Sequence, residues 1–325
     1  MATMEQKLEQ RAVTLAQNIS ADFRRWAPHL KSEPTLTLAK NQGSSNHIFR
    51  LDAEHESWAL RIHRASTPLG VDRTRERRIH SLAARHDLAP EIVHSGPEFL
   101  ITPWLCTEAT AALEGNPELL MGFLRSLHSL NPAESEPGDV LKVASRLVEY
   151  RSLLPESSAA ATKLEENTSY LERAALQVGR ASEEGSAELR LCHNDLNLTN
   201  LRIAKKEPVL IDGQNGNRFT RITKDEAVRS ELRIIALDWE YASIGHPFHD
   251  LAVALLPFAF TSKIQLLSLY LGQAPNGSEL ERFTSFQLLA RALDLCWYQL
   301  YGALAELRES VRQFELAIHE WTEYQ

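Results

Sequence analysis

An α+β fold in two parts is what this 325-residue sequence predicts: an antiparallel sheet with one helix inserted, then a mostly helical remainder. Three observations predict it. Short apolar runs bounded by polar turns recur through residues 35–102 at strand spacing. One charged helical segment interrupts them. Beyond Leu105 the apolar residues recur every three or four positions instead.

Residues 5–30 read as a leading amphipathic helix, with Leu8, Val13, Leu15, Ile19 and Phe23 on one face and Pro28 closing it. Leu36-Thr37-Leu38, residues 48–51 and residues 58–62 read as three strands, the first two joined by the small-residue turn 42–46. Residues 72–86 read as a charged helix whose inner face is Ile79, Leu82 and Ala83. Ile92-Val93-His94 and residues 99–102 add two strands. Residues 1–105 are thus expected as one lobe and 106–325 as the other. In the second, helices are expected at 119–130, 140–154 and 157–178. A Gly/Ser/Glu loop follows at 179–186, then strands at 201–203, 209–211 and 234–237, and helices from about Asp250 to the C-terminus.

The hydrophobic content is 43%, ordinary for a globular chain, and the net charge is -8. That charge argues against nucleic acid as a partner and is compatible with a cationic substrate. Cys106, Cys192 and Cys296 have no zinc or disulfide spacing, so reduced thiols in a cytoplasmic protein are expected. No secretory segment is read at the N-terminus. The most apolar stretch, 251–271, is interrupted by Thr261, Ser262, Lys263 and Gln265, so no membrane span is expected. The oligomeric state is not fixed by the sequence.

Residues 193–200, HNDLNLTN, place an Asp five positions before an Asn and a His two positions before that Asp. In protein kinases this spacing marks the catalytic loop, with the Asp facing the substrate hydroxyl and the Asn holding magnesium. An Asn-rich turn between strands has the same composition.

Phosphoryl transfer needs a phosphate-covering loop, a cation, metal ligands and an acceptor for the hydroxyl proton in one cleft. Gly43, Ser44, Ser45 and Asn46 could supply the loop through backbone N–H and side-chain donors, or form a plain hairpin turn. Arg61, in Leu60-Arg61-Ile62, would project from the opposite face to its apolar neighbours and could grip phosphate, or be an exposed strand residue. Glu76 could pair with Arg61 or belong to a solvated helix face. Asp238 ends the apolar strand 234–237 as a candidate metal ligand. Asp250 reads as a helix cap or loop brace.

Three blocks of residues now carry a resemblance: 193–200, then 237–252 (LDWEYASIGHPFHDLA), then Arg61 through Pro90 with Asp72-Arg73, Glu76 and Leu88-Ala89-Pro90. In them the sequence resembles the aminoglycoside phosphotransferase and choline kinase superfamily, over residues from about 35 to 300. Leu237-Asp238-Trp239-Glu240-Tyr241, and Arg61 in place of Lys, look especially like the choline, ethanolamine and thiamine kinase branch. The resemblance implies a bilobal protein-kinase-like fold and an ATP- and Mg2+-dependent phosphotransferase acting on an alcohol. By position it makes Asp195 the catalytic base and Asn200 and Asp238 the magnesium ligands. Arg61 would contact the α- and β-phosphates, held by Glu76. Residues 101–105, with Thr102 and Trp104, would read adenine through backbone groups, and His193 would brace the loop.

Asp212 competes with Asp238, since it lies 12 residues after Asn200 in a D-x-G setting, whereas Asp238 lies 38 after it. The residues downstream of Asp238 match the superfamily, which selects Asp238 and leaves 212–233 as an insertion. The acceptor implied is an amino or quaternary-ammonium alcohol of the choline, ethanolamine or thiamine kind. Trp239, Glu240 and Tyr241 are candidates to line its site, with Asp294, Trp297 and Tyr298 on one face of a late helix. A helix packing its aromatics into the core would carry the same pattern. The alternatives are an aminoglycoside or amino-sugar phosphotransferase, or a silent nucleotide-binding regulator. Whether ATP or GTP is the donor is left open.

Overall fold

The computed structural model describes residues 4–39, 45–64, 68–105, 113, 116–134, 140–184, 188–205, 232–302 and 304–324. Five strands make one antiparallel sheet in the order β1-β2-β3-β5-β4. They are β1 (Thr35–Leu38), β2 (Asn46–Ala53), β3 (Glu56–His63), β4 (His94–Gly96) and β5 (Phe99–Pro103). Strand alternation puts Phe49, Leu51, Trp58, Leu60 and Ile62 in one apolar cluster under helix α1 (Met4–Ala21). Ala12, Ala16 and Ile19 of α1 join that cluster, so the leading helix packs on its own sheet.

The helix read over 5–30 ends earlier, at Ala21. A 3-10 turn at Phe23–Arg25 follows, and the Trp26 indole N–H donates back to Ile19 O at 3.0 Å. The tighter turn lets Phe23 and Trp26 both reach the sheet, where Trp26 meets Trp58 edge-on at 5.2 Å. At the other edge, Ile92 and Val93 precede β4; Val93 still donates its N–H to Ile101 O at 2.9 Å.

Helix α2 (Arg73–Arg85) follows β3, as read. Asp72 caps it, accepting N–H from Thr74 at 2.8 Å and Arg75 at 3.0 Å. Its inner face, Ile79, Leu82 and Ala83, belongs to the core of the helical part rather than to that of the sheet. Helix α2 is therefore the link between the two.

The helical part comprises α3 (Glu118–His128), α4 (Val143–Leu153), α5 (Ala159–Glu166), α6 (Thr168–Glu184), α7 (Pro247–Leu255), α8 (Phe260–Leu271), α9 (Gly277–Tyr301) and α10 (Leu304–Glu323). Helix α9 is central, packing on α4, α6, α7 and α10 and burying Phe283, Phe286, Leu289 and Leu295. A capping box of Asn276 and Glu279 starts it. The single helix read at 157–178 is two, parted at Asn167, whose amide donates to Lys163 O at 2.8 Å. The loop read at 179–186 is helical to Glu184, because the stripe of Leu171, Ala174 and Val178 carries α6 past Gly179.

Two short antiparallel ribbons complete the fold: β6 (Arg190–Cys192) with β9 (Ser243–Gly245), and β7 (Leu201–Lys205) with β8 (Leu232–Ala236). The strand read at 209–211 lies outside the described residues. Among the described residues no helix is long and apolar enough to cross a membrane. Cys192 and Cys296 are buried free thiols.

Candidate active site

The two ribbons bring residues 193–200 and Asp238 together. In β7–β8, Leu201 pairs with Ala236, so Asn200 and Leu237 leave the ribbon side by side. The Leu237 N–H donates to Asn200 O at 2.8 Å. In β6–β9, Cys192 pairs with Ser243, which sets Asn194 beside Tyr241. Leu196 is fully buried and Leu198 packs on the same core, while Asp195, Asn197 and Asn200 stay partly exposed.

The loop is held from several sides. The Asn200 amide donates to Asp195 O at 2.9 Å and to Asp195 Oδ2 at 3.0 Å; the Asn197 amide donates to Asp195 Oδ1 at 2.9 Å. The buried His193 ring faces Leu237 O at 2.9 Å and packs 4.8 Å from the Trp239 ring. Asp250, inside α7, accepts the N–H groups of His193 and Asn194. It does not cap its helix; His246 does. Burial alone would push the Asp250 carboxyl up, but the hydrogen bond and charge of His128 and the His193 N–H hold it below the usual range. Burial, then the charges of Asp238 and Glu240, push Asp195 well above it.

Asp238 has left-handed backbone, φ 60°, where β8 ends. Its carboxylate pairs with Arg61, which also pairs with Glu76 of α2. Arg61 is 8% exposed and Glu76 1%, so neither is a solvated surface residue. Burial and the charge of Glu240 push Asp238 up to about 6, against Arg61 and Arg73.

On the side of the phosphate loop, Gly43 and Ser44 lie outside the described residues. Ser45 and Asn46 are buried. The Asn46 amide donates to Ser45 Oγ at 2.9 Å and to Glu240 Oε2 at 3.2 Å, and its Oδ1 faces His63 Nδ1 at 3.1 Å. Its side chain is therefore used within the protein and not offered to phosphate. Thr102 is buried opposite Ala59 in the sheet. The Trp104 N–H donates to Ser57 O at 2.8 Å, so this one backbone donor is used within the sheet. The Trp104 ring carries the Arg50 guanidinium, 5.2 Å from the centroid.

The acceptor candidates divide. Trp239 is fully buried, donates its indole N–H to Ala236 O at 3.0 Å and stands behind the loop against His80 and His193. It does not line a cleft. Glu240 is 3% exposed and turns to Arg73 and Asn46 instead. Of the others, Tyr241, Tyr298 and Asp294 lie near enough to Asp195 for their charges to interact. Burial raises the hydroxyls of Tyr241 and Tyr298 and pushes Tyr150 of α4 up to about 12; the charge of Asp195 adds a smaller rise to each. Asp294 of α9 in turn helps to raise Asp195. The Asp294 side chain keeps 40% exposure, yet loss of hydration pushes its carboxyl up to about 6, opposed by Arg291. Trp297 meets Tyr298 edge-on at 5.1 Å and Tyr301 at 5.7 Å. Sequence reasoning missed Tyr150. It lies in the segment 140–154, where its aromatic ring reads as core, and its hydroxyl donates to Leu69 O at 3.3 Å.

The charges of Asp238 and Glu240 raise the Asp195 carboxyl, that of Glu240 raises Asp238, and Arg61 and Arg73 offset Asp238 only in part. Mutually opposed carboxylates beside the Asn200 amide make an oxygen-donor set short of positive charge, which fits magnesium. Asp212 lies outside the described residues. A second cluster, His128, Cys192 and Asp250, brings its ligand atoms within 4.8 Å of one another. There the Cys192 thiol is pushed well up by burial and Asp250 is taken by backbone N–H groups, so it reads as a structural knot.

A family model described as a phosphotransferase enzyme family matches residues 38–213. No curated protein matches the sequence. Solved structures share the fold along nearly the whole chain. A choline/ethanolamine kinase family protein from Mesorhizobium loti has a TM-score of 0.66 at 17% identity, over 95% of this chain and 97% of that one. Choline kinase from Cryptosporidium parvum gives 0.66 at 17%, over 94% and 96%. A spectinomycin phosphotransferase, solved with ADP and spectinomycin, gives 0.59 at 13%, over 95% and 98%.

Proposed function

The chain belongs to the phosphotransferase enzyme family and is a small-molecule phosphotransferase, and from that premise we propose that it phosphorylates an amino or quaternary-ammonium alcohol with ATP. The observation that carries this reading is the gathering of Asp294, Tyr150, Tyr241 and Tyr298 around Asp195. A carboxylate among aromatic faces suits an ammonium group.

In this reading Asp195 orients the acceptor hydroxyl and takes its proton as the phosphoryl group transfers. Asn197 and Asn200 hold the Asp195 carboxylate in place. Arg61, aimed by Glu76, neutralises phosphate oxygens. Asn200 and Asp238 would hold magnesium, which would supply positive charge to offset that of the phosphate oxygens. Most of the rate comes from positioning and charge complementarity. The buried thiols Cys192 and Cys296 suit a cytoplasmic setting.

Magnesium-dependent ADP release across choline, ethanolamine, thiamine, amino sugars and aminoglycosides tests the reading, with GTP run beside ATP. Turnover with an ammonium alcohol supports it. Turnover only with aminoglycosides or amino sugars moves the acceptor class. Nucleotide binding without turnover on any acceptor points to a regulator.

A further inference from the structure

Beyond the Arg61–Glu76 pair, buried charges continue between the sheet, α2 and the segment that follows β8. Glu240 Oε2 accepts Nη1 of Arg73 at 2.7 Å and the Asn46 amide at 3.2 Å. The same Arg73 Nη1 reaches Glu76 Oε2 at 2.9 Å. Charges then alternate along one row: Asp238, Arg61, Glu76, Arg73, Glu240. The row closes on itself, because Asp238 and Glu240 are two residues apart in the chain. Its members come from β3, from the first turn of α2 and from the 3-10 turn Trp239–Tyr241. Asn46 adds the first residue of β2, where the candidate phosphate loop ends. Its other neighbour, His63, is held near 3 by burial and by Arg73 and Arg61, so it is neutral and does not compete for Glu240.

We propose that Glu240 is a positioning residue on the nucleotide side: through Arg73 and Asn46 it clasps α2 and the start of β2 to the segment carrying Asp238. The proposal rests on the phosphotransferase reading and separates Glu240 from the acceptor site. A buried carboxylate is costly without partners, and here the partners are the Arg73 guanidinium at the start of α2 and the Asn46 amide at the start of β2. With the clasp closed, Arg61 and Asn46 keep a set distance from Asp195. With it open, α2 keeps its apolar contacts to the helical core, but the start of β2 loses its tie to the segment carrying Asp238.

The test uses Glu240→Gln, Arg73→Gln and the double variant of the full chain, with MgATP and choline as probes. Each single change is expected to raise KM for MgATP about tenfold and leave KM for choline within twofold. The double variant should be no more than twofold worse than either single. In the free protein, amide exchange at residues 46–48 and 73–76 should quicken about tenfold in all three, while α9 stays protected and reports an intact fold. A rise in choline KM with MgATP KM unchanged would overturn the proposal and return Glu240 to the acceptor site. A silent Arg73→Gln beside a damaged Glu240→Gln would also overturn it, by leaving Glu240 to act without the clasp. Should the wild type not turn over ATP, the donor reading fails by itself. Exchange then decides the clasp, and unchanged exchange at 46–48 and 73–76 overturns it.

Discussion

Asp250 holds Asn194 by its backbone: Oδ1 accepts the Asn194 N–H at 2.7 Å, while Oδ2 takes that of His193 at 2.8 Å. Asn194 has φ 64°, a left-handed conformation that a side chain disfavours. Its amide donates to Tyr241 O at 3.1 Å and Ser243 Oγ at 2.9 Å. Strain is thus kept, and fully restrained, one residue before Asp195. Asp250→Ala leaves two buried N–H groups without acceptors and should cost about 3 kcal/mol. Denaturant midpoints measure it. Asp250→Asn, which keeps an acceptor for one N–H, should lose less stability, yet still lower kcat at least tenfold.

Asp238 and Asp212 make opposed predictions. The β7–β8 register places Leu237, the residue before Asp238, beside Asn200 across a long sequence gap. Asp238→Ala should abolish magnesium-dependent turnover, and Asp212→Ala should leave it within about threefold. Equal losses in the two variants, measured as ADP release over a magnesium titration, would reverse the choice of ligand.

Asp294 gives the pH dependence. Its carboxyl titrates at about 6 instead of the ordinary 3.8. Above about 6 it is charged and attracts an ammonium; below, it is neutral. Kd for choline should therefore rise as pH falls from 7 to 5, and Asp294→Asn should bind weakly with a flat profile. Calorimetric titration checks both. For stability the sign is opposite. Between 3.8 and about 6 the folded state binds more protons than the unfolded one, so this group's contribution falls as pH rises through that window. Asp294→Asn should accordingly keep or raise Tm at pH 7.5.

Trp239→Phe should lower stability by about 1–2 kcal/mol, from lost packing and the lost bond to Ala236 O. KM for the acceptor should stay within twofold, because the ring stands behind the loop. A large change in acceptor KM would restore Trp239 to the acceptor site.

Strands β2 and β3 were legible because apolar residues recur at every second position, Phe49 and Leu51 in one and Trp58, Leu60 and Ile62 in the other, which also told which face carries Arg61; β5 was legible only as a short apolar run. Asp195 and Asn200 stood out as candidates by their spacing; Asp238 did so only through the residues downstream of it, since spacing alone favoured Asp212. The roles within Trp239-Glu240-Tyr241 were not. A 3-10 turn sends successive side chains about a third of a turn apart. Adjacent residues therefore face the core, Arg73 and Tyr150 in turn. Strands β6 and β9 are three residues long, too short to show a period. Tyr150 carries no local signal, since only the packing of α4 brings it near Asp195. Asp250 could be read as a cap or a brace, and only its distant partners decide between them.

Asp195→Asn tests the central claim most directly, because it keeps the shape and removes the proton acceptor. With MgATP and the best acceptor of the panel, kcat should fall about a thousandfold while Kd for MgATP stays within threefold. Turnover close to that of the wild type would contradict the account.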